Sequence, residues 1–166
     1  SLKNHYELSY SEAFDFITNE RRYIYDQHKI DDFSDFQFIG SWKTNFQSWN
    51  YQKEIPMKLV KYENLLSDTY STSLEIIQFV DKIMKNNEGI DKKKLENAIN
   101  STSFEKLKKE ETVKGFSEAI LSKERNKKIP FFYLGPENDW KKILDEKIQT
   151  KLSETFKDNL KELLYI

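Results

Sequence analysis

Phe131-Phe132-Tyr133-Leu134-Gly135-Pro136-Glu137-Asn138-Asp139-Trp140-Lys141 gathers aromatics, a Gly-Pro pair and an Asp-Trp-Lys triplet into one short stretch. Gly135 can adopt a positive φ, and Asn138 is among the non-glycine residues that tolerate one best. A loop of this kind can turn its amides inward and hold an anion. Pro136 works against this, because it removes one donor. Trp140 reads as a packing anchor rather than a ligand contact. Two blocks upstream bear on the loop: Lys61-Tyr62-Glu63-Asn64-Leu65-Leu66 and Ser101-Thr102-Ser103-Phe104-Glu105.

The first of these follows Met57-Lys58-Leu59-Val60-Lys61-Tyr62, where apolar and basic residues alternate after Pro56. That alternation predicts a strand over 57–62. Ligands of open α/β sheets sit beyond the carboxyl ends of strands, so Tyr62 is placed to lie against a purine. Taken alone it fits an ordinary half-buried tyrosine at a strand end better. In the second block a Ser/Thr cluster precedes Phe-Glu-Lys-Leu-Lys, a good helix start with Thr102 or Ser103 as N-cap. Free amides at such a start bind phosphate oxygens, and Phe104 could stack on a base. Taken alone, this block equally describes a cap and a core phenylalanine.

The remainder is mostly helical. Ser9 with Glu12 fits a capping box ahead of Ala13, Phe14, Phe16 and Ile17. Residues 23–38 show no clean period and read as loop with at most a turn of helix. Trp42, Phe46 and Trp49 share one helix face. Thr72 with Glu75 suggests a second capping box, before Ile76, Ile77, Val80, Ile83 and Met84; Gly89 would be the C′ residue. Asp91 should cap a helix through Leu95 and Ile99. The charged 110–128 segment reads as a solvated loop or surface helix. Ile148, Leu152, Phe156, Leu160 and Leu163-Leu164 predict a single terminal helix of about five turns. One strand cannot satisfy its own edges. Either it pairs with strands the pattern does not reveal, or it docks into a sheet made by sequence outside this chain; the second is the expectation.

Composition narrows the function. A length of 166 residues suits one domain or part of a larger one. With 12 Phe, 9 Tyr and 3 Trp the chain is too aromatic for a disordered segment. A net charge of −1 argues against nucleic acid or an anionic membrane as partner. There is no cysteine, so disulfides and thiolate metal sites are excluded and a reducing compartment is permitted. His5 and His28 stand too far apart in sequence to suggest a metal-ligand pair. No apolar run approaches the ~18–20 residues of a membrane span.

Read in order, the blocks resemble the cytosolic-type sulfotransferase family over most of the chain. Ser11-Glu12-Ala13-Phe14 is similar to the family's S-x-E-E-F helix. Gly40-Ser41-Trp42 with Trp49 is similar to its G-S-W…W helix. Tyr62-Glu63-Asn64-Leu65 resembles Y-E-D-L, and Thr102-Ser103-Phe104 matches T-S-F. The 130–141 stretch resembles P-F-x-R-K-G-x-x-G-D-W-K. The resemblance implies an α/β, sulfotransferase-type P-loop fold, of which residues 1–166 are the mostly helical carboxyl-terminal part of a single domain. It implies a cytoplasmic enzyme that moves a sulfuryl group from 3′-phosphoadenosine 5′-phosphosulfate to a hydroxyl or amine of a small-molecule acceptor, leaving adenosine 3′,5′-bisphosphate. Carried over, Tyr62, Thr102 and Phe104 would contact the adenine, with Ser103 beside them. Gly135 would offer its amide to the 3′-phosphate, Ser1 would belong to a second 3′-phosphate element, and Asp139 and Trp140 would hold the loop in place.

The departures are as informative. The family's Arg-Lys pair before the glycine is Tyr133-Leu134 here. Hydrogen bonds to charged groups are worth ~1.5–3 kcal/mol each, so losing two would weaken donor binding by about 10² or more. Lys127, Lys128, Lys141 and Lys142 are near in sequence and could compensate. Asn45 stands where a histidine is common, which would alter the acceptor pocket, and Asn138 replaces the second loop glycine. The family's phosphosulfate lysine loop and catalytic histidine have no counterpart in these residues. Therefore no catalytic residue is assigned, and the 166 residues alone are expected to be inactive. The alternative is a non-catalytic helical binding module derived from the family.

Overall fold

A computed structural model of the chain describes residues 6–25, 36–122 and 126–166. Ser1, His5 and His28 lie outside the described residues. The chain divides into two compact units, Ser1–Gln52 with Asp139–Ile166, and Lys53–Asn138.

In the first unit, helix α1 (Tyr10–Thr18) starts from the expected capping box. The Ser9 hydroxyl accepts from the Glu12 amide at 3.2 Å, and the Ser9 amide donates to Glu12 Oε2 at 2.8 Å. The helix buries Phe16, and the Arg22 guanidinium lies 4.4 Å from the centre of that ring. Strands β1 (Tyr23–Tyr25) and β2 (Phe36–Phe38) pair antiparallel, with Tyr23 opposite Phe38. This corrects the reading of 23–25 and 36–38 as loop; residues 26–35 lie outside the described residues. Three-residue strands are too short to show a period, and the Tyr23–Phe38 ring pair at 5.2 Å forms only on folding.

Helix α2 (Trp42–Asn50) is capped by Ser41, whose hydroxyl accepts from the Thr44 amide at 3.0 Å. Trp42 stacks on Phe46 and meets the Phe156 ring edge-on, with centroids 5.0 Å apart. The carboxyl-terminal residues form α7 (Trp140–Ile143), α8 (Glu146–Thr155) and α9 (Lys157–Glu162). The single terminal helix is thus corrected to two segments broken at the buried Phe156. α1 packs on α2 and α8. Glu162 accepts from Asn50 and from the Tyr51 hydroxyl, and the latter bond raises the Tyr51 phenol above its ordinary range.

The second unit holds α3 (Tyr62–Ser67), α4 (Thr69–Met84), α5 (Lys92–Ser101) and α6 (Phe104–Lys114), then the hairpin β3 (Ile120–Leu121) and β4 (Lys128–Ile129). α3 packs on α4, and α4 on α5. The strand expected over 57–62 is not formed. Residues 56–61 have no ladder partner among the described residues, and Tyr62 begins α3. A strand exists only through its neighbour, and here the local contact is a side-chain pair, Lys58 to Glu75 at 2.9 Å. The charged 110–128 segment is, over its described residues, the exposed end of α6 and a mostly exposed run into the hairpin, in line with a surface helix and loop.

Two helix ends also differ from expectation. Thr72 is no cap: it lies buried inside α4, and its hydroxyl donates to the Asn64 carbonyl at 3.1 Å. Asp68 caps instead, accepting from the Ser71 amide at 2.9 Å. Lys85, at φ 55, ends α4, so Gly89 is not its C′ residue. Asp91 caps α5 as expected, accepting from the Lys94 amide.

The Asp68 cap carries a pH signature. Hydrogen bonds from Ser71, the amide first, hold its carboxyl below the usual range. A depressed folded-state pKa gives stability that is present above the unfolded value and is lost as pH falls through the folded one. Asp68→Asn caps without a charge. Its urea midpoint should therefore decline less than the wild type's between about pH 6 and about pH 3. Parallel declines would show that this carboxylate contributes nothing.

Candidate functional site

Ser103 is the N-cap of α6 through its backbone alone, since its side chain makes no capping bond. Thr102 belongs to the preceding helix: it closes α5, and its hydroxyl donates to the Ala98 carbonyl at 2.8 Å. The half-buried Phe104 therefore opens α6 directly after a tight junction. Thirty-one positions on, Gly135 meets it.

Gly135 has φ +53 and begins a 3-10 turn, Gly135–Glu137. A Cβ built there would lie closer than 3.0 Å to three atoms of the Phe104 ring. Only glycine satisfies both the backbone angle and the approach. Asn138 does not use positive φ; it sits at −74° and returns its amide to the Gly135 carbonyl at 3.1 Å. Glu137 likewise donates to Leu134. The amide of Gly135 itself has no hydrogen-bond partner among the described residues.

Beside this contact lies a cleft of about 350 Å³. Phe104, Glu105, Lys108, Lys109 and Thr112 line it from α6, and Pro136 and Glu137 from the turn. Lys108 Nζ lies 5.5 Å from the centre of the Phe104 ring. The lining thus offers an aromatic face and two ammonium groups, together with the carboxylates of Glu105 and Glu137. That set can hold a base and a phosphate together.

Phe104 and Gly135 are thus brought together. Tyr62, the exposed first residue of α3, does not line the cleft, nor do Thr102 and Ser103. The cations named as substitutes for the absent Arg-Lys pair are engaged elsewhere or do not line the cleft. Lys142 pairs with Asp139 at 3.3 Å, Lys141 lies over Trp140, and Lys128 sits by Gly115. Trp140 is 45% exposed, so it is no buried anchor. Lys108 and Lys109 were missed because lysines on a polar helix read as solvated; Phe104 to Lys108 is nonetheless an i,i+4 pair, which was the available signal. No group of metal-ligating residues occurs among the described residues, and no helix there is long and apolar enough to cross a membrane.

A family model described as "Sulfotransferase domain" matches residues 5–163. The chain belongs to the sulfotransferase family. Comparisons with curated proteins and with solved structures give no significant match. The match runs through both compact units, so both are parts of the sulfotransferase sequence. Membership places the chain among transferases of sulfuryl groups and implies the family's P-loop-type fold. The mostly helical character of the described residues is consistent with it.

Proposed function

We propose that this sulfotransferase takes its sulfuryl group from 3′-phosphoadenosine 5′-phosphosulfate and transfers it to a hydroxyl or amine of a small molecule. Residues 1–166 act as the carboxyl-terminal part of one sulfotransferase domain and supply recognition of the nucleotide. Phe104 lies against the adenine, with Tyr62 and Thr102 contributing to the same end and Ser103 beside them. The free amide of Gly135 donates to the 3′-phosphate, and Ser1 belongs to a second element for that phosphate. Sulfuryl transfer breaks the bond between sulfur and the bridging phosphate oxygen as the acceptor oxygen or nitrogen bonds to sulfur. Nothing in this chain is assigned to that step.

One observation supports the reading above the others. The T-S-F and glycine-loop motifs, far apart in sequence, meet ring against glycine where no other residue fits. The Gly135 amide has no hydrogen-bond partner among the described residues, and two lysines line the cleft beside Phe104, groups that suit a phosphorylated nucleoside.

Calorimetric titration of adenosine 3′,5′-bisphosphate into the full-length protein tests the reading. We expect a dissociation constant in the micromolar range, about −8 kcal/mol. No heat of binding at millimolar nucleotide would favour the non-catalytic module that the Tyr133-Leu134 replacement suggests.

A further inference from the structure

We infer that Glu111 and Lys108 are positioning residues that hold the 131–135 loop in the shape in which it receives its ligand; the ligand half of this inference rests on the function proposed above. Phe104, Lys108 and Glu111 follow one another at i, i+4 and i+7, along a single face of α6. The loop runs past that face in the opposite direction. Glu111 Oε1 accepts from the Phe131 amide at 2.7 Å, and Oε2 from the Phe132 amide at 2.9 Å. Lys108 Nζ donates to the Tyr133 carbonyl at 3.2 Å. Phe104 then meets Gly135 and sets its ring edge-on to Phe132, with centroids 6.2 Å apart.

Three chemistries thus read the loop in one register. The carboxylate does for two successive amides what an anionic ligand would do, and it does so permanently. It takes up the donors of Phe131 and Phe132, which leaves the Gly135 amide for something else. The lysine fixes the carbonyl midway and keeps the peptide from turning over. Charge-assisted hydrogen bonds of this kind are stronger than neutral ones, so the loop owes more to Glu111 than to its own turn. Glu111, which does not line the cleft, need not touch the nucleotide to act on it.

The test pairs two measurements on the full-length protein: amide hydrogen exchange at Phe131 and Phe132, and titration with adenosine 3′,5′-bisphosphate. Glu111→Ala should speed exchange at both amides and raise the dissociation constant about tenfold. Glu111→Gln keeps one oxygen acceptor and should fall between wild type and alanine in both readings. Lys108→Met should leave those two amides protected and weaken nucleotide binding by a smaller factor. Glu110→Ala, a change to the exposed neighbour on the same helix, should alter neither. Unchanged exchange in Glu111→Ala overturns the inference, as does unchanged affinity when the wild type binds. A wild type that binds no nucleotide removes the proposed function instead; the positioning role then stands or falls on the two exchange rates alone.

Discussion

Gly135→Ala is expected to lower stability by about 2–5 kcal/mol and to abolish measurable binding of adenosine 3′,5′-bisphosphate. Two costs add. A side chain at φ +53 costs roughly 1–2 kcal/mol, because a Cβ crowds the following carbonyl there. The new methyl would also overlap the Phe104 ring, and overpacking of this sort costs about 1–3 kcal/mol. Gly89 separates the two. Its φ is +79, but a Cβ there would meet nothing within 4 Å. Gly89→Ala should therefore show only the conformational part, about 1–2 kcal/mol. The steric part should disappear in the Gly135→Ala/Phe104→Ala double variant, giving a favourable coupling in a double-mutant cycle. Urea midpoints at constant m-value measure all three. If Gly135→Ala were no worse than Gly89→Ala, the close approach of ring and glycine would be of no consequence.

Restoring the family's cations should have a comparable effect in the opposite direction. Tyr133→Arg with Leu134→Lys is expected to tighten nucleotide binding about 100-fold, and Tyr133→Arg alone about tenfold. The loop can accept both changes. Tyr133 is 52% exposed, and Lys108 engages its carbonyl rather than its ring. A lysine stem can cover the surface that the half-buried Leu134 covers while its ammonium reaches water. A guanidinium can also bond a phosphate through two parallel donors. The gain should shrink as salt rises from about 0.05 M to about 0.5 M, since exposed charges are screened within several ångströms. Equal affinities for wild type and double variant would mean that Lys108 and Lys109 already neutralise the phosphate.

What the sequence disclosed was the local part of the structure. Ser9 and Glu12 cap one another three residues apart, and Asp91 caps the helix it precedes, so a short window contains both partners. The same logic misfired at Thr72. Its spacing to Glu75 copies a capping box, but such a spacing also occurs inside helices, and Asp68 was the better acceptor. Apolar periodicity placed the face of the terminal helix yet passed unbroken through Phe156, because it reports which side is buried and not whether the backbone continues. The paired Tyr23 and Phe38 depend on a neighbour far along the chain. Motif order singled out Phe104 and Gly135, which the structure brings into contact. Glu111 and Lys108 stayed invisible, because their partners are main-chain groups of residues 131–133, which carry no side-chain signature.

The 56–61 stretch, which forms no strand, has a consequence for handling the protein. Met57 and Leu59 stand 39% and 53% exposed on a segment with no ladder neighbour among the described residues. Exposed apolar side chains on a β-prone stretch of this kind favour stacking of further copies into aggregates. Its own residues counter the hazard: Pro56 withholds a donor at the entry, and charged Lys58 and Lys61 interrupt the greasy run. Replacing those two lysines with threonine or valine would convert a tolerated stretch into a nucleus for precipitation, long before any loss of folding showed in a melting curve.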